Sequence, residues 1–342
     1  MKLMPQVRGK PGLVQDLSRR VSLSAVGRRA APRAWASRKR PLPAERQLRT
    51  ALAAASERLE AALATLQAKR AREQAAEATG RKLQAGAAVL ALSVLTDSAL
   101  EHYRGSFQNR AMFAPLIAST ISLAAGAAGA MRLHVPRFML EMAHGVAAAT
   151  GLAGFCFHVY NILKRPNGFS WLNLFYAAPI GAPFALTLAG LFGRWGMRLS
   201  DPADRPAKLL GQPAGRTVAA AAAGGVLGTV AEAGLLHFRG AYHNPAMFLP
   251  VSVPPLTAAL LGAAAASPNK AADTAARGAL WATALLGAAG VGFHIYGVAR
   301  NMGGWRNWSQ NVLNGPPVPA PPSFAGLAVI GLAALALMDA ER

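Results

Sequence analysis

The chain has 342 residues, of which 53% are hydrophobic and only 15% are charged, and its formal net charge is +21. Soluble domains of this size usually carry about 25% charged residues, so the composition argues against an ordinary soluble domain. The single cysteine, Cys156, excludes an intrachain disulfide and a cysteine-based zinc cluster. Residues 1–85 hold 19 of the 36 Lys and Arg and 6 of the 15 acidic residues. This basic head on an apolar body points to a membrane or to nucleic acid.

The head divides into two segments. Residues 1–42 are rich in Arg, Pro and Ser and have no apolar period, which predicts a disordered basic segment. Residues 43–85 are predicted to form an amphipathic cytoplasmic helix, because Leu48, Leu52 and Leu59 belong to a short heptad seam. The head lacks the interleaved aromatic residues of a nucleic-acid-binding arm, so no nucleic acid is expected. Its cations are expected to bind anionic lipid head groups, at about 1 kcal/mol each.

Eight apolar stretches follow the head, each about 20 residues long, the length that spans a bilayer as a helix. Ala and Gly dominate several of them, and such small residues let helices pack closely in lipid. Residues 111–131 carry no charge at all, whereas a helix of a soluble bundle would need a charged face. The predicted spans are residues 86–103, 112–131, 138–163, 171–193, 217–237, 246–266, 277–299 and 321–338.

A fourteen-residue motif occurs twice in this apolar body. It reads HYRGSFQNRAMFAP at residues 102–115 and HFRGAYHNPAMFLP at residues 237–250, with eight identical positions. A second short sequence, FHVY at residues 157–160, returns as FHIY at residues 293–296. Each repeated unit is therefore four helices long. An even number of spans places both units the same way up in the membrane.

These patterns predict an all-α, polytopic membrane helical bundle with a basic N-terminal extension that is partly helical and partly disordered. Its eight transmembrane helices form two parallel four-helix repeats. Repeat 1 covers residues 86–200, a cytoplasmic linker covers 201–216, and repeat 2 covers 217–342. The distribution of Lys and Arg places both termini in the cytoplasm and the motifs at the outer face. The bias towards Ala, Gly and Arg is typical of a GC-rich bacterial gene, so the expected location is a bacterial inner membrane.

Part of the repeated motif is explained by local chain geometry. Gly105 and Gly240 suit a helix end that needs an unusual backbone angle. Asn109 and Asn244 suit a turn or a cap before the next helix. These residues are consistent with a helix–turn–helix corner that was copied by duplication.

The corner does not explain two acidic residues inside the spans. Asp97 lies five residues before His102, and Glu232 lies five residues before His237. An acidic side chain at the centre of a membrane helix costs about 2.5–3.5 kcal/mol on insertion scales. Its retention in both units predicts that Asp97 and Glu232 couple protons or ions. The alternative is a buried ion pair with the arginine seven residues later in each unit.

The repeated histidines are predicted to converge at the outer ends of four different helices. Imidazoles at one level of a helical bundle can hold haem b or a metal ion, and the repeated arginines can pair with haem propionates or a quinone head group. Alternatively, each histidine hydrogen-bonds a loop carbonyl and holds its own corner. The candidate cofactor-binding residues are His102, His158, His237, His294, Arg104 and Arg239.

Three functions therefore stay open from the sequence. The first is a haem-, metal- or quinone-binding electron-transfer subunit, and the second is a proton- or cation-coupled transporter. The third is a membrane scaffold or assembly protein without ligand chemistry, acting on a partner subunit. Walker loops, dinucleotide fingerprints and Ser–His–Asp signatures are missing from the sequence, which disfavours an enzyme.

Overall fold

The computed structural model describes residues 43–342 except 178, 204 and 268. The segment predicted to be disordered, residues 1–42, lies outside the described residues. The chain divides into two units, Met1–Ala61 and Ala62–Arg342.

The described part of the first unit is helical from residue 43 to residue 61. Leu48, Leu52 and Leu59, which belong to the predicted seam, are all exposed there. Glu57 and Arg58 lie on the same solvent-exposed helix. Among the described residues, this stretch therefore buries none of these leucines.

The described chain is almost entirely helical, with ten α-helices. A two-stranded antiparallel hairpin, β1 (Lys208–Leu209) and β2 (Gln212–Pro213), joins the fifth helix to the sixth. Short 3-10 turns cover Arg110–Phe113, Pro245–Val251 and Gly304–Asn307. The helices are α1 (Pro43–Arg104), α2 (Ala114–Ala130), α3 (Arg137–Leu163), α4 (Trp171–Tyr176), α5 (Gly181–Ser200), α6 (Ala214–Arg239), α7 (Val253–Ala266), α8 (Lys270–Arg300), α9 (Trp308–Asn314) and α10 (Pro322–Glu341).

Seven helices are long and apolar enough to cross a bilayer, which is the mark of an integral membrane protein. They are α1, α3, α6, α8 and α10, together with α2 and α7 extended by the 3-10 turns before them. The 20-residue helix α5 is not among the seven, and it carries Arg194 and Arg198 in its second half. The prediction of an all-α membrane bundle is thus confirmed at the level of fold class.

The centre of the larger unit is built from α1, α5, α6 and α10. One continuous apolar cluster joins Leu90 of α1, Phe192 of α5, Val226 of α6 and Ile330 of α10, all fully buried. Many other members of this cluster are alanines. The helices therefore pack through small side chains, as expected in lipid.

The other long helices, α2, α3, α7 and α8, present apolar side chains to the outside. This surface is much larger than a water-soluble monomer exposes, so it is suited to lipid. It includes Ile117, Ile121, Met142, Val146, Leu152, Leu256, Trp281 and Leu285.

The structure differs from the prediction at the fourth span, residues 171–193. Two helices occupy this region, the short α4 and the longer α5, with Pro179 between them. Proline disfavours helix in the residue before it and has no N–H to donate, so the chain ends α4 and begins α5 beyond the proline. The second half of the chain has the same arrangement, since α9 ends at Asn314 and α10 begins after a run of prolines.

Candidate functional site

The two copies of the motif form corners with the same geometry. In both corners the helix ends are followed by two residues with positive φ, Ser106 and Phe107 in the first and Ala241 and Tyr242 in the second. The aromatic residue of each pair then stacks on a phenylalanine six residues later, with ring centroids 4.4 Å apart in the first corner and 4.5 Å apart in the second. This stacking holds a backbone conformation that residues with a Cβ rarely adopt.

The predicted role of the motif glycines was wrong. Gly240 has a φ of −81°, and Gly105 is likewise outside the positive-φ region. A Cβ on Gly105 would lie 3.0 Å from Cε of Met112, and one on Gly240 would lie 2.9 Å from Cε of Met247. The glycines therefore leave room for a methionine that folds back over the helix end.

The predicted role of the motif asparagines agrees with the structure. The side chain of Asn109 accepts a hydrogen bond from the Ala111 N–H, and that of Asn244 accepts one from the Ala246 N–H, both at 2.9 Å. Each asparagine thus caps the 3-10 turn that leads into the next long helix.

The four repeated histidines each contact a backbone carbonyl through Nδ1. His102 reaches the Met112 oxygen at 2.6 Å, and His237 reaches the Met247 oxygen at 2.8 Å. The acceptors thus lie ten residues downstream, so both bonds close the motif corner.

The second pair of histidines binds the loops before the last helix of each half. His158 in α3 reaches the Pro179 oxygen at 2.5 Å, and His294 in α8 reaches the Pro317 oxygen at 2.7 Å. Neither proline can donate a backbone hydrogen bond, but each still offers its carbonyl. These histidines therefore tie a long helix to the loop that starts α5 or α10.

The contacts fix the tautomer of all four histidines. A carbonyl can only accept, so Nδ1 carries the proton and Nε2 of the neutral ring keeps its lone pair. His102 lies near His158, and His237 lies near His294, so the four histidines form one pair in each half. Among the described residues, no group of three or more His, Cys, Asp and Glu is arranged to hold a metal ion.

The intramembrane acids lie close together. Asp97 and Glu101 of α1 are near enough to Glu232 of α6 for their charges to interact. The backbone N–H of Gly181, at the start of α5, hydrogen-bonds the Glu232 carboxylate. A Cβ at Gly181 would overlap this carboxylate, so only glycine allows the approach. Because α1 and α6 end near one another here, both motifs lie at one end of the bundle, the motif end.

The two repeated arginines are placed differently. Arg104 forms an ion pair with Glu101, three residues earlier on α1, rather than with Asp97. Arg239 lies over the rings of Phe175 and Tyr176 in α4, 5.8 and 6.0 Å from their centroids. The position that matches Glu101 in the second half is Leu236, so the difference follows from the sequence.

Two further residues of the motif end were missed by the sequence analysis. Asn173 in α4 donates from Nδ2 to the carbonyls of Pro166 and Gly168, and Asn311 in α9 does the same to Met302 and Gly304. Both are buried, and each closes the loop before its short helix. The signal was weak because the second loop is two residues longer, which shifts the repeat spacing.

Ser93 was also missed, and it connects the two halves. Its hydroxyl donates to the Pro319 carbonyl at 2.5 Å and lies 2.8 Å from the Ser323 hydroxyl. It lies one turn before Asp97 on α1, whereas Pro319 precedes α10. Thus α1 contacts the loop before α10, and α6, through Glu232, contacts the start of α5.

Comparison with protein-family models, with curated proteins and with solved structures gives no match to this chain.

Replacing His158 or His294 with alanine is expected to lower stability by about 1–3 kcal/mol, because a half-buried carbonyl loses its donor. Unfolding of the purified protein in detergent measures this loss. His134, which is exposed in a loop, provides the control, and His134→Ala is expected to change stability by less than about 0.5 kcal/mol. Equal stability of all three variants would contradict a structural role for these imidazoles.

Proposed function

We propose that the protein is a transporter that moves protons or a cation, with Asp97 and Glu232 as the coupling groups. The observation that carries this proposal is the meeting of three carboxylates, from α1 and α6, at the boundary between the two halves. Acidic side chains inside a membrane protein are costly and usually mark an ion pathway.

The composition of the cluster favours a positively charged occupant. Arg104 forms an ion pair with Glu101, and it attracts Asp97 only at longer range. Carboxylates that face each other in a low dielectric repel, and a bound proton removes that repulsion. The N-terminus of α5 also points at Glu232, and the helix dipole stabilises its negative form when the proton leaves.

The finer fold proposal is a pair of parallel four-helix repeats with eight spans. The helix α5 is then added to the seven apolar helices, as the last span of the first repeat. In support, the contacts of the histidines and of the capping asparagines occur in both halves, and α5 has the same place after α4 that α10 has after α9. Transporters of this kind bind their cargo between repeats.

Purified protein in vesicles that contain anionic lipid tests the proposal. A proton gradient is imposed, and an internal pH-sensitive dye reports proton entry. Entry above that of protein-free vesicles supports the proposal, with Na⁺ or K⁺ added in turn to identify a coupled cation. Entry equal to the protein-free rate under all these conditions overturns it and favours the scaffold function.

The second candidate function is haem or metal binding for electron transfer. Its support is the free Nε2 of all four repeated histidines, because a metal-ligating histidine usually donates its other N–H to a carbonyl or carboxylate. A Soret band in the purified protein that shifts on reduction would favour this function. A colourless protein without bound metal would exclude it.

Both termini are expected in the cytoplasm of a bacterial cell, and the motif end at the outer face. Reporter fusions after Arg205 and after Arg342 should read cytoplasmic, since basic residues flank Arg205 and an even number of proposed spans separates it from Arg342. A fusion after Lys164, at the end of α3, should read external. A periplasmic signal at Arg205 would contradict the four-plus-four arrangement.

A further inference from the structure

The first half of the bundle contains buried polar atoms that the proposed site does not use. His144 in α3 has no exposed surface, and neither of its ring nitrogens has a hydrogen-bond partner among the described residues. The same holds for Oε1 of Gln84 in α1 and Oγ of Ser122 in α2. An unpartnered polar group in such a place costs about 1–3 kcal/mol.

His144 of α3 and Gln84 of α1 both pack against the Gly193–Gly196 turn of α5. The His144 ring fills the space where a Cβ of Gly193 would stand, and the Gln84 amide fills the corresponding space at Gly129. Cγ of Gln84 would also lie 2.8 Å from a Cβ on Gly196, one turn from Gly193 in α5. Three glycines from two helices therefore make room for two polar side chains.

In the second half, apolar side chains occupy the positions that match His144 and Gln84. Leu280 stands where His144 does, and its Cδ2 would lie 2.7 Å from a Cβ on Gly331, the counterpart of Gly193. Ala219 stands in place of Gln84. The glycines that accommodate Gln84 become Ala264 and Ala334, so two methyl groups take up part of the space that the longer side chain fills.

A pair of hydroxyl side chains in the second half also lacks a complete counterpart in the first half. Thr257 and Thr283 hydrogen-bond each other at 2.8 Å in the second half. The matching residues of the first half are Ser122 and Ala147, so Ser122 lacks the partner hydroxyl. In the second half these positions hold either apolar residues or hydroxyls that bond each other. Packing alone therefore does not require the unpartnered polar residues of the first half.

We propose that His144, Gln84 and Ser122 form an internal water site in the first half only, at which His144 exchanges protons with the bound water. A buried water needs two to four polar partners, and the unpartnered ring nitrogens, amide oxygen and hydroxyl of these side chains are of the required kinds. Imidazole takes a proton at one nitrogen and releases one from the other, so the exchange is balanced. No charged side chain of the described residues interacts electrostatically with His144.

The water site would extend the proton route from the carboxylates. Gln84 precedes Asp97 by thirteen positions on α1, which is about 20 Å along the helix axis. The site therefore lies towards the end of the bundle opposite the motif end. Only this relay role rests on the proposed transport function, and hydration of the site does not.

Hydration is tested by solid-state NMR of the full chain, labelled with ¹⁵N-histidine, in lipid bilayers. Magnetisation transfer from water should reach the His144 ring, whose signal is identified by its loss in His144→Leu. Transfer comparable to that of exposed His134 is expected, and loss of most of this transfer in Gln84→Ala. A ring that receives no more transfer than the buried backbone overturns the proposal. If His144→Leu does not fold, the His144 ring is assigned instead through its backbone in uniformly labelled protein, and the Gln84→Ala comparison still decides the question.

The relay role has its own readout and matched variants. His144→Leu copies the second half, so it should fold with unchanged or higher stability and lower proton entry into vesicles to the protein-free rate. Leu280→Ala, at the position that matches His144, should lower stability but leave proton entry per folded molecule unchanged. Proton entry unaffected by His144→Leu overturns the relay while leaving the transport function in place. Absence of entry in the unmodified protein refutes transport instead, and hydration is then judged by NMR alone.

Discussion

Asp97→Asn is expected to stop proton entry into vesicles while the protein still folds. Asparagine keeps the size and shape of the side chain but cannot accept and release a proton, so the coupling step is lost. Glu101 and Glu232 repel Asp97, and the repulsion by Glu101 exceeds the attraction by Arg104, so removing the Asp97 charge also relieves repulsion in a low dielectric. The variant should therefore be at least as stable as the unmodified protein, and the activity loss cannot come from unfolding.

Glu232→Gln should have the same effect on proton entry, because Glu232 supplies the carboxylate of the second half. The amide still accepts a hydrogen bond from the Gly181 N–H, so the start of α5 stays in place. Glu73→Gln, at an exposed carboxylate of α1, is the control and should transport normally. Normal transport by Asp97→Asn or Glu232→Gln would remove these residues from the mechanism. Proton entry lost in the Glu73 control as well would point to a non-specific effect of charge.

The corners of the motif separate what local sequence can predict from what it cannot. The capping by Asn109 and Asn244 was predictable, because an asparagine side chain reaches an N–H only two residues away. The glycine role was not, because the positive φ values fall on Phe107 and Tyr242, where ring stacking compensates the strain. Stacking partners are set by the folded corner and not by the propensity of any one residue.

The partners of the histidines and acids could not be predicted from the sequence, because they lie far away along the chain. The sequence indicated that His158 and His294 were used, but their acceptors, the carbonyls of Pro179 and Pro317, carry no side-chain signal. The alternative in which each histidine binds a loop carbonyl is the one that the contacts match at all four positions. Whether Nε2 also binds a ligand stays a prediction. The approach of Glu232 to Gly181 was likewise hidden, since it joins different halves of the chain.

The fold class was easier to predict than the number of spans. Apolar length and the absence of charge in residues 111–131 are properties of each segment alone, and they suffice for a helical membrane protein. The break inside predicted span 171–193 depends on how Pro179 is used. Proline inside a long apolar stretch permits either a kinked helix or two helices, and the His158 contact to its carbonyl stabilises the second.

A glycine pair that packs helices together should produce the largest loss of stability. A Cβ on Gly151 of α3 would lie 2.7 Å from the Pro183 carbonyl oxygen, and one on Gly287 of α8 would lie 2.9 Å from that of Pro321. Both contacts are with the backbone at the start of α5 or α10, which cannot move aside as a flexible side chain can. Gly151→Ala and Gly287→Ala are therefore each expected to lower stability by about 2 kcal/mol or more.

The same two helices contain matched control glycines, at which alanine is not expected to lower stability. A Cβ on Gly145 of α3 or Gly278 of α8 would meet nothing within 4 Å. Alanine is favoured over glycine in a helix interior, so Gly145→Ala and Gly278→Ala should leave stability unchanged or raise it by up to about 1 kcal/mol. Unfolding midpoints in a graded detergent series compare all four variants. Similar midpoints for Gly151→Ala and Gly145→Ala would mean that α3 and α5 can separate at no cost. The Glu232 contact at Gly181 would then lack a rigid support, because the start of α5 is held against α3 by the close approach at Gly151, by the His158 contact and by the packing of Phe155 on Phe184.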